Sequence, residues 1–210
     1  VLLDNTWASP ILCRPFELGV DVSVQAGTKY IVGHSDVMLG SITTKTEEDL
    51  LTVKKQLLLA GDAVGPDDCY LAQRGLRTLA VRLKQHHESG LKVANWLLTH
   101  PEVKRVLHPA LPDDPGHAIW KRDFSGASGL FSFVMEPVEK PQLANMLDNM
   151  ELFGMGFSWG GFESLILPSD PTKIRTATKW DENGILIRLH IGLEDPDDLI
   201  ADLDAGFERL

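Results

Sequence analysis

The chain has 210 residues, 43% of them apolar and 24% charged, with 20 basic and 30 acidic side chains and a net charge of −10. That length suffices for one or two domains with a sizeable core, and the balance excludes disorder, a coiled coil and a phosphate-backbone partner such as nucleic acid. Two distant cysteines, Cys13 and Cys69, exclude a disulfide framework or zinc ribbon, and no apolar run approaches the roughly 20 residues that span a bilayer, so a reducing, cytoplasmic setting is expected.

Val1 to Leu3 reads as a short, buried, central strand that ends at Asp4-Asn5-Thr6. With no initiator Met and no basic-then-apolar leader, the chain reads as one entered in mid-fold. Val20 to Val24 is β-branched and predicts a second strand. Thr46-Glu47-Glu48-Asp49 resembles a capping box and predicts a helix through about Leu59, stopped by Gly61. Gly65-Pro66-Asp67-Asp68 opens one long helical stretch, with Leu71, Leu76, Leu79, Leu83, Val93 and Leu97 as its apolar stripe, Gly90 as a candidate bend and Pro101 as its end.

Beyond that point short strands alternate with helices. Strands are predicted over residues 103–107, 129–135, 163–167 and 185–191, and a helix over 142–150. Asp195-Pro196-Asp197-Asp198 is a strong helix start, with an N-cap acid, Pro at the first position and acids at the positive dipole end. The boundary falls near Gly75. Residues 1–75 are the end of an α/β layer, and residues 76–210 form a smaller α+β unit.

Four places carry chemistry. Lys29 stands between a small-residue turn and Gly33-His34-Ser35, just after a strand. A free lysine, with a pKa near 10.4, is a poor nucleophile at neutral pH; burial or a nearby cation frees its amine. Arg188 sits in the apolar run Leu186-Ile187-Arg188-Leu189-His190. There it needs an anion, either a ligand carboxylate or an internal ion-pair partner. Asp4 ends its own strand. Gly156-Phe157-Ser158-Trp159-Gly160 matches the nucleophile elbow of α/β-hydrolases, with His190 following. It is rejected as such, because the motif follows a helix and loop and too little chain follows Ser158. His86 and His87 are adjacent and make a poor metal pair, so no metal site is expected; His34 and His190 read as structural. Arg74 and Arg77 read as packing and ion-pair residues.

The run from Asp21 to Ser35 closely resembles the pyridoxal-phosphate (PLP) attachment site of the Cys/Met-metabolism enzymes. Asp4-Asn5-Thr6-Trp7, the loop from Gly154 to Ser164 and the segment around Arg188 resemble further family segments, so the likeness covers essentially all of the chain. It implies the C-terminal half of a fold-type I enzyme: an α/β chain in which the end of a PLP-dependent transferase-like large domain is followed by a smaller α+β domain. It also implies Lys29 as cofactor anchor and base, Asp4 as the acid at the pyridine nitrogen and Thr28 as a phosphate contact. The family often has serine where Ala26 stands. Ser158, Trp159 and Arg188 are implied around the substrate carboxylate. Ser-Trp-Gly-Gly, Leu-His after Arg188 and Val-Gly-His-Ser-Asp after Lys29 resemble the bacterial cystathionine β-lyase branch. That branch implies cleavage of L-cystathionine to homocysteine, pyruvate and ammonia in methionine biosynthesis, by a homotetramer built as a dimer of dimers. The family's aromatic residue over PLP, its glycine-containing phosphate loop and the Tyr and Arg from a neighbouring subunit lie upstream of the matching region. A non-catalytic fragment is therefore one alternative; within the enzyme class, a γ-acting relative or a broader cysteine-conjugate β-lyase is the other.

Overall fold

A computed structural model describes all 210 residues. The first sheet has three strands. β1 (Leu2–Asp4) runs parallel to β2 (Val22–Ala26), and β3 (Gly40–Thr44) lies antiparallel on the other side of β2. The register sets Leu2 beside Val22 and Asp4 beside Val24. A short helix, α1 (Ser9–Leu12), lies between the parallel pair in sequence.

β1 has a neighbour on one side only within these 210 residues. It is bonded only to β2, and Val1 and Leu2 are 77% and 67% exposed. β3 was not legible from pattern, because Ile42 is the lone large apolar residue in Gly40-Ser41-Ile42-Thr43-Thr44. α2 (Glu47–Ala60) begins at Thr46, whose hydroxyl accepts the Asp49 N–H at 3.2 Å, and closes at Gly61. None of its residues is buried.

The single long helix is instead two, α3 (Pro66–Leu76) and α4 (Leu79–Leu97), and Gly90 does not interrupt the second. The break follows from Gly75. Its Cα lies so close to the chain after Lys29 that a Cβ would meet the Ile31 carbonyl at 2.3 Å. The Gly75 carbonyl is taken by the Thr78 N–H and hydroxyl and by Arg82 Nη2, at 3.1, 3.2 and 2.9 Å. The helical ladder therefore ends there and restarts at Leu79. Leu76, expected on the apolar stripe, faces solvent, whereas Leu79, Leu83, Val93 and Leu97 are buried.

The second sheet is wholly antiparallel. β4 (Val103–Leu107), β5 (Leu130–Met135), β6 (Leu165–Ser169) and β7 (Ile185–His190) lie in the order β4-β5-β7-β6. The connections carry α5 (His117–Asp123) and α6 (Lys140–Asp148), and α7 (Pro196–Phe207) follows β7. The main core packs Phe133, Met135, Ile166, Ile187 and Leu189 against α4 and against Leu199, Leu203 and Phe207 of α7. Because side chains alternate along a strand, burying Ile187 and Leu189 sends Arg188 and His190 to the opposite face of β7. That choice aims both at the loop after residue 153. No helix is long and apolar enough to cross a membrane.

The two sheets are tied by contacts remote in sequence. Trp7 Nε1 donates to the Leu130 carbonyl at 2.9 Å, and the Gly129 N–H donates to the Tyr30 hydroxyl at 3.1 Å. Asp202 of α7 fixes the start of the loop, its carboxylate accepting the N–H groups of Glu151, Leu152 and Phe153 at 2.9, 2.8 and 3.1 Å. Asp202→Ala leaves three N–H groups without that acceptor and should lower stability by about 2–4 kcal/mol, with Asp202→Asn losing less, as read from urea unfolding midpoints.

Candidate functional site

Lys29 is placed by a helical turn that follows β2. The Lys29 N–H bonds the Ala26 carbonyl, Val32 bonds Gly27 and Gly33 bonds Lys29, at 3.1, 2.9 and 2.8 Å. The turn buries Tyr30 and leaves Lys29 half-exposed. Two carbonyls of this turn are held by a buried guanidinium, with Arg82 Nη1 donating to Tyr30 O at 2.8 Å and Nη2 to Ile31 O at 3.3 Å. Lys29 Nζ donates to Ser158 Oγ at 2.7 Å and stands 5.3 Å from the Trp159 ring centroid. Burial first, and the Arg188 charge second, hold its pKa below the ordinary lysine value.

Arg188 and His190 grip the facing loop from β7. Arg188 Nη2 donates to the carbonyls of Gly156, Phe157 and Ser158 at 2.9, 3.0 and 3.4 Å. Its Nε is buried without a partner, and it forms no ion pair, so the internal ion-pair alternative is not what the fold adopts. His190 Nε2 accepts the Gly160 N–H at 3.0 Å. Gly160 has φ +83°, and a Cβ there would lie 2.9 Å from the Lys29 carbonyl carbon. Only glycine fits both the left-handed backbone and that approach. Ser158 meets Lys29 and not His190, so the elbow-type pair of serine and histidine is not formed.

Lys29, Thr28 and Ser158 line a cleft of about 820 Å³, together with Trp159, Ser35 and Glu163. Arg188 lines an adjacent cleft of about 530 Å³ with Trp7, Leu130, Arg175 and Trp180. The structure thus brings Lys29, Ser158 and Trp159 into contact and places Arg188 behind their loop. Thr28 shares the cleft, but its hydroxyl is engaged with Leu39, accepting its N–H at 2.8 Å and donating to its carbonyl at 3.3 Å. Asp4 lines neither cleft. It stands at the end of β1, with Oδ1 accepting the Thr6 N–H at 2.9 Å and the Thr6 hydroxyl at 2.5 Å. Thr6 Oγ1 in turn accepts the Ala26 N–H at 2.8 Å, which ties Asp4 to the end of the strand before Lys29.

Tyr30, Arg82 and His86 were not picked out as site residues. Their signal was present: Arg82 and His86 fall three and seven positions after Leu79, on the apolar stripe, where a polar side chain must be buried. Arg74 and Arg77, expected to pack or pair, are exposed and form no ion pair. Tyr30 packs against Trp159, His86 and His190, with ring centroids 5.6, 5.2 and 5.9 Å away.

The profile of the Cys/Met metabolism PLP-dependent enzyme family matches residues 1–208. Cystathionine β-lyase of Escherichia coli K12 is 55% identical over 100% of the chain and 54% of its own length. The enzyme of the same name from Salmonella typhimurium is 51% identical over the same shares. The crystal structure of cystathionine γ-synthase from Xanthomonas oryzae pv. oryzae, in complex with aminoacrylate and cysteine, superposes with TM-score 0.88 at 35% identity, covering 99% of this chain and 55% of that one. The chain therefore spans about half the length of the relatives it matches.

Burial holds the imidazole pKa of His190 down at about 3 and those of His86 and His108 at about 4. Unfolded histidines gain protons near pH 6.5, while these folded ones do not, so the unfolded state binds more protons below that pH. Stability should fall as pH drops from about 6.5 toward 4, by about 1.4 kcal/mol per pH unit for each histidine. Urea midpoints at pH 7 and pH 5 measure it, and equal midpoints would refute the buried neutral state.

Proposed function

The chain belongs to the Cys/Met metabolism PLP-dependent enzyme family, and we propose that it carries the anchor lysine and substrate-binding residues of a PLP-dependent carbon–sulfur lyase that cleaves L-cystathionine by β-elimination. The observation that carries the proposal is the Lys29 amine, held at lowered pKa against Ser158 and within the field of Arg188 at the edge of an open cleft.

The residues present fit the cofactor. A lysine with a lowered pKa can attach to an aldehyde, and a buried, unpaired guanidinium N–H calls for an anion. PLP, when bound, supplies the electron sink that stabilises negative charge at the substrate Cα. Lys29 would hold it covalently. Asp4, with Oδ2 free of protein partners, would keep the ring nitrogen protonated. Thr28 would contact the phosphate by sharing a hydroxyl that now bonds Leu39.

The chain's own groups then divide the work. Arg188 has Nη2 committed to the loop and Nε buried, so Nη1 is the donor left to meet the substrate carboxylate. Ser158 is placed to turn its hydroxyl from the Lys29 amine to the same carboxylate. Holding the carboxylate would fix the orientation of the substrate Cα. The Lys29 amine would take the Cα proton and return a proton to the departing sulfur. Homocysteine leaves as the thiol, and hydrolysis of the remainder gives pyruvate and ammonia.

Other expectations belong to the same proposal: a division at residues 1–75 and 76–210, a homotetrameric assembly, a cytoplasmic location and a role in methionine biosynthesis. The β-lyase relatives support the β-specific reading. The likeness to a γ-synthase structure favours a γ-acting enzyme as the second reading.

Three measurements test this. The purified chain mixed with PLP should give a yellow species that Lys29→Ala removes; without it, this chain alone is not a PLP enzyme. Supplied with cystathionine, it should release pyruvate, and 2-oxobutanoate would establish the γ reading instead. Arg188→Met should lower kcat/KM by at least about 30-fold, as expected when one partner of a charge-assisted pair is removed.

A further inference from the structure

His190 is 1% exposed, on the face of β7 turned away from the core, two residues after Arg188. Its Nε2 lies 3.0 Å from the Gly160 N and 3.3 Å from the Gly161 carbonyl. One nitrogen of a neutral imidazole cannot both accept and donate. The Gly160 N–H can only donate and is the nearer of the two groups, which assigns the lone pair to Nε2 and leaves the proton on Nδ1, itself buried without a partner. His86, whose ring centroid is 5.3 Å away, has Nδ1 2.8 Å from the Ile191 carbonyl, which can only accept. His86 therefore also carries its proton on Nδ1. The backbone thus writes the tautomer of both rings.

The three residues reached through this contact all bear on Lys29. Ser158 accepts its amine, Trp159 lies under it, and Gly160 rests on its backbone. Arg188 holds the loop by three carbonyls and His190 holds it by one N–H, so a donor and an acceptor from alternate residues of one strand clamp a single loop. The clamp works only while Nε2 is unprotonated, because an imidazolium would turn an N–H toward the Gly160 N–H.

We propose that His190 is a positioning residue for the Lys29 amine, its unprotonated Nε2 accepting the Gly160 N–H and so seating the 158–160 loop against Lys29. The importance of Lys29 rests on the function proposed above, but the seating itself does not. The groups that set the state of His190 surround it: Tyr30 from the turn, His86 from α4, Lys29, and Arg188 on its own strand. Arg82 and Glu194 bear on His86. Lys29, Arg188 and Arg82 each disfavour a further positive charge, while the phenol of Tyr30, fully buried, stays neutral with its pKa raised above the ordinary value.

The test needs no cofactor. Trace labelling with acetic anhydride across a pH series reads the nucleophilicity and apparent pKa of Lys29 in the apo chain. His190→Leu should return that pKa toward the ordinary lysine value and slow Lys29 labelling at pH 8 by about 3- to 10-fold, the scale of one lost hydrogen bond. His190→Gln, which offers an amide oxygen, should restore labelling to within about 2-fold. Unchanged Lys29 labelling in a folded His190→Leu chain overturns the proposal, as does Gln behaving like Leu. If His190→Leu does not fold, the long-range ¹H–¹⁵N spectrum of the wild-type imidazoles decides: a bare Nε2 on His190 supports the seating and a protonated Nε2 overturns it. Failure to form the yellow PLP species leaves these readouts intact, so the two proposals fail separately.

Discussion

Everything at the site depends on one buried cation that has no anion. Arg82 reaches from α4 to the carbonyls of Tyr30, Ile31 and Gly75 and to the Thr78 hydroxyl. The turn that carries Lys29 is too short to satisfy its own carbonyls as a longer helix would. At the break between α3 and α4 the Gly75 carbonyl has lost its helical partner and is shared between Thr78 and the same guanidinium. A guanidinium, with five donors in a planar fork, answers both deficits at once. It thereby fixes where the turn sits on the helices, and so where Lys29 points. Gly75 is the other half of this arrangement, because any side chain there would push the turn off α3.

The electrostatics of the cleft follow from the same economy of anions. Arg82, Arg188 and Lys29 all lie in the region, and none forms an ion pair, while the net charge of the whole chain is −10. Positive charge has been kept free locally in a protein that is acidic overall. Arg82 is neutralised by carbonyl dipoles, and Arg188 partly so, leaving Nε without a partner. Burial first, and the neighbouring Arg188 charge second, hold the Lys29 pKa below the ordinary lysine value.

Much of this was legible in the residues. Strand alternation places Ile187 and Leu189 inward, so the opposite face for Arg188 and His190 can be deduced before any coordinates. The caps at Thr46 and Asp195 mark their helices. What could not be read was tertiary. The stripe through Leu71, Leu76 and Leu79 continues across the helix break because the break comes from a remote contact between Gly75 and the turn at Ile31, not from a local breaker. Nor does composition tell that the Thr28 hydroxyl is already engaged by Leu39. The role of His190 was hidden for a different reason: a histidine in an apolar strand looks structural until its acceptor nitrogen is seen facing a glycine N–H.

The contact between Lys29 and Ser158 joins residues 129 positions apart, and those between Trp7 and Leu130 and between Tyr30 and Gly129 span 123 and 99. Such closures come late in folding, since long-range contacts form only after the entropy of ordering the intervening chain has been met. The lowered pKa of Lys29 comes first from burial and second from the Arg188 charge, and both require the second sheet to be in place, so the docked fold and not the local turn sets the state of this amine.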